Sequence, residues 1–344
     1  MKSSIVLGKR VLSTSLGFFN PFELNFAITY HCNSRCKTCN IWKSRPKKEL
    51  SLKEIERFAK NAGFIKWMRL TGGEPFLRRD YVDIVKALDK HMNLYLLTTP
   101  TNGLAPDLVY KNVESVLRSF KGRYVITVSL DGPRNIHDKI RKKGSWDSAI
   151  ETYKRLTLLQ KAYKKFKVFF GYTISPYNTG RFFETVDEVK KELIVNTNDF
   201  HVNLFQISEV YYKNKNAKIP KGYVKNTIKE VNDIINKRKH RGIVNSIEKR
   251  YLRLAEKYLK TKKTPMNCNV FNLSAFLDPY GNVYPCSMFN RKLGNLKDYD
   301  YNLKKILKSE KAKAVRKEIE KRQCPHCWTP CEAHQMILSK WWKI

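Results

Sequence analysis

Residues 23–39 read ELNFAITYHCNSRCKTC, an apolar, aromatic and β-branched run followed at once by three cysteines. The run NFAITY predicts a buried strand, and Cys32, Cys36 and Cys39 fall on the loop at its C-terminal end. The pattern repeats down the chain. IKWMRLT, NLYLLTT, YVITVSL, KVFFGYTIS and FHVNLFQIS are further strand candidates. Between them SLKEIERFAKNAG, RDYVDIVKALDKH and SWDSAIETYKRLTLLQKAY carry apolar residues at helical spacing, often behind a Ser or Asp cap. Alternating strands and helices imply a parallel sheet with right-handed crossovers. Six such units fall short of the eight that close a full barrel. The expected fold class is therefore α/β, a partial (β/α)6 barrel, with the cysteine loop on the rim where barrel enzymes place their chemistry.

Composition divides the rest of the chain. Residues 1–22 form a basic, aromatic arm, 23–210 the barrel, 211–263 a lysine-rich helical connection, and 264–344 a small α+β domain. That last stretch holds a hairpin-like LDPYGNVYPC, a basic helix NLKKILKSEKAKAVRKEIEK and a terminal group of cysteines. No stretch approaches the ~20 apolar residues that span a bilayer, so the expected location is cytoplasmic. Sixty-seven Lys and Arg against 31 acidic residues give a net charge of +36, which favours anionic partners: nucleic acid, anionic lipid or phosphorylated substrates. Phe18 and Phe19 in the arm and Trp341 and Trp342 at the C-terminus, all near lysines, suit a peripheral position on an anionic membrane surface. The plain alternative is that both ends pack on the protein. There is no RNA-recognition or helix-turn-helix signature, so a non-enzymatic nucleic-acid-binding protein with structural zinc rests on charge alone.

The eight cysteines lie in two groups, three within 32–39 and five after residue 267. Tight groups in a chain without a secretion signal favour metal sites over disulfides. A zinc site at the first group would need His31 as fourth ligand, yet adjacent His31 and Cys32 point apart on an extended chain. Cys32-x3-Cys36-x2-Cys39 resembles the CxxxCxxC signature of the radical S-adenosylmethionine (SAM) superfamily, and the resemblance runs from residue 23 to about 207. It implies that the three thiolates hold three irons of a 4Fe-4S cluster and leave the fourth iron to SAM. Thr71-Gly72-Gly73-Glu74-Pro75, ending the second strand candidate, is similar to the family's GGEP motif. By that resemblance Gly72, Gly73, Glu74 and Pro75 present carbonyls and a carboxylate to the methionyl ammonium. Asn102 in TTPTNG and Ser129 and Asp131 in SLDG would lie near the SAM carboxylate or ribose. Thr38 departs from the family, which often has an aromatic residue before the third cysteine.

In the second group, Cys268-x12-Gly281-x4-Cys286 and Cys324-x2-Cys327-x3-Cys331 resemble the auxiliary-cluster region of SPASM and twitch proteins. Gly281 suits a hairpin turn that brings Cys268 and Cys286 together. The resemblance implies a second 4Fe-4S cluster on Cys268, Cys286, Cys324 and Cys327, with Cys331 spare or replacing one of the last two. A four-cysteine zinc ribbon is the structural alternative. The implied activity is reductive cleavage of SAM and abstraction of a substrate hydrogen atom, fed by an external one-electron donor such as ferredoxin or flavodoxin. A lipid or lipid-linked substrate is the expectation the chain ends suggest; a peptide, sugar or nucleotide is the alternative.

Overall fold

The computed structural model describes residues 21–45, 47–239 and 242–340. The aromatic arm with Phe18 and Phe19, and Trp341 and Trp342, lie outside them. Six parallel strands follow in chain order: β1 (Glu23–Thr29), β2 (Trp67–Gly72), β3 (Leu96–Thr101), β4 (Arg123–Ser129), β5 (Phe166–Ile174) and β6 (Phe200–Leu204). Six helices pack among them: α1 (Leu52–Lys60), α2 (Tyr81–Met92), α3 (Pro106–Ser119), α4 (Arg134–Ile140), α5 (Ser145–Ala162) and α6 (Phe182–Lys190). The sheet is open, as an incomplete barrel must be.

Alternation along β1 shows how the sheet is built. Leu24, Phe26 and Ile28 join the large core beneath the helices, where Phe26 meets Phe58 of α1 edge to face. Ala27, on the opposite face, joins a smaller core with Tyr30, Ile41, Val210 and Phe276. Helix α1 begins with a capping box: the Ser51 hydroxyl accepts the Glu54 amide, and the Glu54 carboxylate accepts the Ser51 amide.

Two stretches differ from the sequence expectation. The connection 211–263 is helical only from α7 (Tyr223–Lys237) through α8 (Ile243–Thr261). Before α7, residues 205–222 are irregular and cross the cysteine loop, because Asn40 and Asn214 satisfy their polar backbone there. The C-terminal stretch does not form a sheet of its own. Strand β7 (Ser274–Leu277) pairs in parallel with β1, and β8 (Asn282–Tyr284) and β9 (Gly294–Asn295) extend the same sheet antiparallel. The nine strands run β6-β5-β4-β3-β2-β1-β7-β8-β9. Backbone groups on the free edge of β1 thereby find partners. Helices α9 (Leu303–Lys308), α10 (Glu310–Glu320) and α11 (Pro330–Leu338) complete the chain. Among the described residues no helix is long and apolar enough to cross a membrane.

Candidate cluster and SAM site

The β1 strand delivers Cys32, Cys36 and Cys39 to the rim of the sheet, and the turn after β2 holds them there. The Gly73 amide donates to the Thr29 carbonyl at 2.9 Å and the Glu74 amide to the His31 carbonyl at 2.8 Å. The two glycines permit this. A Cβ on Gly73 would overlap the His31 carbonyl oxygen and stand 2.8 Å from Cys32 Cβ; one on Gly72, whose φ is +149°, would overlap the Thr29 carbonyl oxygen. The sequence reading had the glycines admit a ligand. In the structure their closest partner is the β1 end and the cysteine loop itself.

Glu74 is 2% exposed, and its carboxylate faces inward. It accepts the Asn102 amide at 2.7 Å, the Thr101 hydroxyl at 3.0 Å and the Phe76 amide at 3.3 Å. These donors tie the end of β3 to the turn, making Glu74 a positioning residue for Asn102. Burial pushes its carboxyl up to about 7 from an ordinary 4.5, against the three hydrogen bonds that lower it. The folded protein therefore holds this proton more tightly than the unfolded chain. The stability it contributes is complete below pH 4.5 and is lost as pH rises through about 7. Glu74→Gln should remove that dependence in the cofactor-free protein. Measured against the variant, wild type is expected to be at its most stable near pH 5 and to lose melting temperature relative to it as pH rises to about 8. A difference that stays constant across this range would mean that the carboxyl does not titrate there.

Asn102 and Asp131 act on the cysteine loop from the neighbouring strand ends. Asn102 Nδ2 donates to Asn33 Oδ1 at 2.8 Å and lies 3.8 Å from Cys32 Sγ. Asp131 is 1% exposed and accepts Arg141 Nε at 2.8 Å, Arg141 Nη2 at 2.7 Å and the Thr173 amide at 3.1 Å. Its carboxylate is thereby taken up in holding Arg141, whose Nη1 lies 3.7 Å from Cys36 Sγ. Ser129 stands half-buried at the end of β4, paired with Gly171. Pro75 is buried and opens a short 3-10 turn. No motif singled out Arg141; only its closeness in sequence to SLDG hinted at it. Burial opposes its charge, but Asp131 and the Cys36 and Cys32 thiols raise its pKa, so a fixed cation stands beside two of the three sulfurs. Such a cation suits an anionic thiolate-bound cluster.

Burial pushes the Cys32 thiol up to about 11 and the Cys39 thiol up to about 12. As free thiols both are protonated at neutral pH, and bound iron would supply the charge that removes the proton. The strap 205–214, which no motif marks, closes the loop from above. Asn214 Nδ2 donates to the Thr38 and Gln206 carbonyls, each at 2.9 Å, and the Tyr211 hydroxyl donates to the Gly72 carbonyl at 2.8 Å.

The second group assembles from three places: Cys268 after α8, Cys286 after β8, and Cys324 and Cys327 between α10 and α11. Gly281, at φ +88°, makes the turn between β7 and β8, where Asp278 Oδ1 accepts the Tyr280 and Asn282 amides at 2.9 and 2.8 Å. Burial raises the Cys268, Cys286 and Cys327 thiols. Repulsion adds to it, from Cys327 and Cys268 on Cys286 and from Cys268 and Cys324 on Cys327, with Glu332 raising both. Cys331 differs from these four in the charges that act on it. Its thiol is pushed up to about 11 by burial, and the charges it feels belong to Arg69, Glu332 and Glu23, with Arg69 and Glu23 on the barrel strands. Among the described residues no three His, Cys, Asp or Glu side chains converge as they would on a single metal ion. A tetrahedral zinc site would bring its sulfurs to ~2.3 Å from one centre. Both donor sets are all thiol, the ligands that a 4Fe-4S cluster takes. Changing Cys327 to Ala is accordingly expected to cost reconstituted protein about four irons, whereas Cys331→Ala should retain them. Iron analysis after anaerobic reconstitution decides this, and equal loss from both variants would make Cys331 a ligand.

A parallel β/α sheet with one thiol loop on its rim and a second thiol group fastened to its edge defines a protein built for two iron-sulfur centres. The chain belongs to the radical SAM superfamily: its family model matches residues 26–188, and that of an iron-sulfur cluster-binding domain, SPASM, matches 268–328. Membership makes it an enzyme of the SAM radical class, with SAM and 4Fe-4S clusters as cofactors. Among curated proteins it is 36% identical over 124 residues to GTP 3',8-cyclase of Yersinia pestis, covering 34% of this chain and 36% of that one. It is 29% identical over 169 residues to the antilisterial bacteriocin subtilosin biosynthesis protein AlbA of Bacillus subtilis, covering 45% and 36%. The aligned part thus spans about a third of each relative's length. The fold matches that of anSMEcpe with bound AdoMet (TM-score 0.58, 18% identity, 86% of this chain and 82% of that one). It also matches Streptococcus suis SuiB bound to precursor peptide SuiA (TM-score 0.59, 17% identity, 91% and 71%).

Proposed function

We propose that Cys32, Cys36 and Cys39 hold the cluster that cleaves SAM, and that the 5'-deoxyadenosyl radical so released takes a hydrogen atom from the substrate. The observation that carries this reading is that Asn102 Nδ2 stands 3.8 Å from Cys32 Sγ and Arg141 Nη1 3.7 Å from Cys36 Sγ, at the rim of a superfamily sheet. In this reading Gly72, Gly73 and Pro75 shape the floor of the SAM site, and Glu74 and Asp131 hold Asn102 and Arg141 in place. Ser129, at the neighbouring strand end, is within the same rim and serves the ribose side.

Cys268, Cys286, Cys324 and Cys327 would carry the auxiliary cluster, which assists electron transfer or substrate binding. An external donor such as ferredoxin or flavodoxin supplies the first electron. The substrate we propose is anionic, supported by the +36 charge and compatible with a lipid-linked molecule or a nucleotide. The relative named GTP 3',8-cyclase favours the nucleotide, and AlbA leaves a peptide as the second reading. Reduced, reconstituted protein given SAM should release 5'-deoxyadenosine and methionine. Stoichiometric zinc with no iron-sulfur absorption after reconstitution would sink the proposal.

A further inference from the structure

We propose that the cleft lined by Lys43, Ser44, Arg45, Lys47, Lys213 and Tyr280 is a binding site for a phosphate or diphosphate group of the substrate. The inference rests on the reading of the neighbouring cysteine loop as the reaction centre. The cleft adjoins that loop directly. Asn40, the residue after Cys39, also lines it, and donates its Nδ2 to the Lys213 carbonyl at 3.1 Å while its amide donates to the Tyr212 carbonyl at 2.8 Å.

Four cations share this cleft, and among the described residues none of them makes an ion pair, although 22 ion pairs are formed elsewhere. The nearest acids are occupied. Glu49 accepts the Thr29 hydroxyl at 2.8 Å and the Tyr30 amide at 3.0 Å. Asp278 takes the Tyr280 and Asn282 amides and, at 2.8 Å, Asn282 Nδ2. Asp278 offsets part of the charge on Lys213 while Lys47 opposes it, and the four cations together leave an excess of positive charge that an entering anion would balance.

Two of the cations are also held in place. Lys213 adopts φ +52°, a left-handed conformation that a lysine enters at a cost. Its Nζ donates to the Ser44 hydroxyl at 2.6 Å and sits 4.7 Å from the centre of the Tyr30 ring. Lys47 Nζ lies 5.8 Å from the Tyr280 ring, and the two rings meet edge to face at 5.6 Å. Two lysines from segments far apart in sequence are thus carried on one aromatic pair. The lysine, arginine and amide groups are donors, and phosphate oxygens are acceptors only, so the chemistry is complementary. An anchor here would bind a part of the substrate remote from the reacting carbon and fix its position.

The test is titration calorimetry of reconstituted full-length protein with sodium pyrophosphate at low salt. Wild type should bind at one saturable site, and a Lys47→Gln/Lys213→Gln variant with unchanged iron content should bind about tenfold more weakly or worse. Lys221→Gln/Lys225→Gln, removing equal charge near the start of α7 and outside this cleft, should bind as wild type does. Flotation with phosphatidic acid vesicles separates the sources: pyrophosphate that displaces floated wild type assigns a lipid headgroup, and binding without flotation assigns a soluble phosphorylated substrate. Equal affinity in wild type and Lys47/Lys213 variant overturns the proposal. So does a variant that binds pyrophosphate normally but accepts electrons more slowly from flavodoxin, which would make the cleft a docking surface for an acidic protein. Release of 5'-deoxyadenosine is scored separately: pyrophosphate binding without it keeps the anion site and sinks the radical reading, and the reverse sinks the anion site alone.

Discussion

Protein in which Cys32, Cys36 and Cys39 are all changed to Ala is expected to form no 5'-deoxyadenosine and to hold about four irons after reconstitution, where wild type holds about eight. The effect is large because all three thiols of the rim loop are removed at once. Asn33, next to Cys32, already has its Oδ1 taken by Asn102. The remaining four irons are the diagnostic part of the result. They should persist because Cys268, Cys286, Cys324 and Cys327 are carried by the C-terminal stretch, and the charges that act most on the buried thiols among them are one another's and that of Glu332, not those of the rim cysteines. Complete loss of iron from the triple variant would show instead that the two centres assemble as a unit.

Gly73→Ala should be nearly as damaging, for a reason that has nothing to do with ligands. The new methyl group would overlap the His31 carbonyl oxygen and press on Cys32 Cβ, both parts of the loop that must hold iron. Neither obstacle is the far end of a flexible side chain, so the turn or the cysteine loop has to move. Overpacking of this kind costs about 1–3 kcal/mol or more, which lowers the melting temperature by several degrees. The variant is expected to melt lower and to lose the irons of the first centre while keeping those of the second. Gly144→Ala provides the comparison: nothing lies within 4 Å of its Cβ, and its only penalty is φ +78°. Gly73→Ala protein with full iron and normal SAM cleavage would show that the close approach is not needed.

Much of this protein was legible in its sequence because the relevant interactions are local. Strand candidates such as YVITVSL and KVFFGYTIS emerged as β4 and β5, since alternating buried side chains on a sheet leave a period of two in the residues themselves. FHVNLFQIS was read too long. Strand β6 ends at Leu204, where the chain leaves the sheet to cross the cysteine loop. Nothing in YYKNKNAKIP marks that crossing, because Asn214 works through hydrogen bonds to Thr38, 176 residues away.

The sequence by itself determined the alternation of strands and helices, the two cysteine groups and the glycine turn, for these are spacings along one chain. Tertiary structure decided which way side chains face and what each one meets. It turned Glu74 inward to hold Asn102, paired Asp131 with Arg141 beside Cys36, and set Cys331 under the charges of Arg69 and Glu23 on the barrel strands. It also joined β7 to β1, making the C-terminal hairpin an extension of the barrel sheet. The lysines of the anion cleft come from segments about 170 residues apart, and neither carries any mark of the other. Burial and charge act through space, over a few ångströms, and only the folded chain brings such residues within that range.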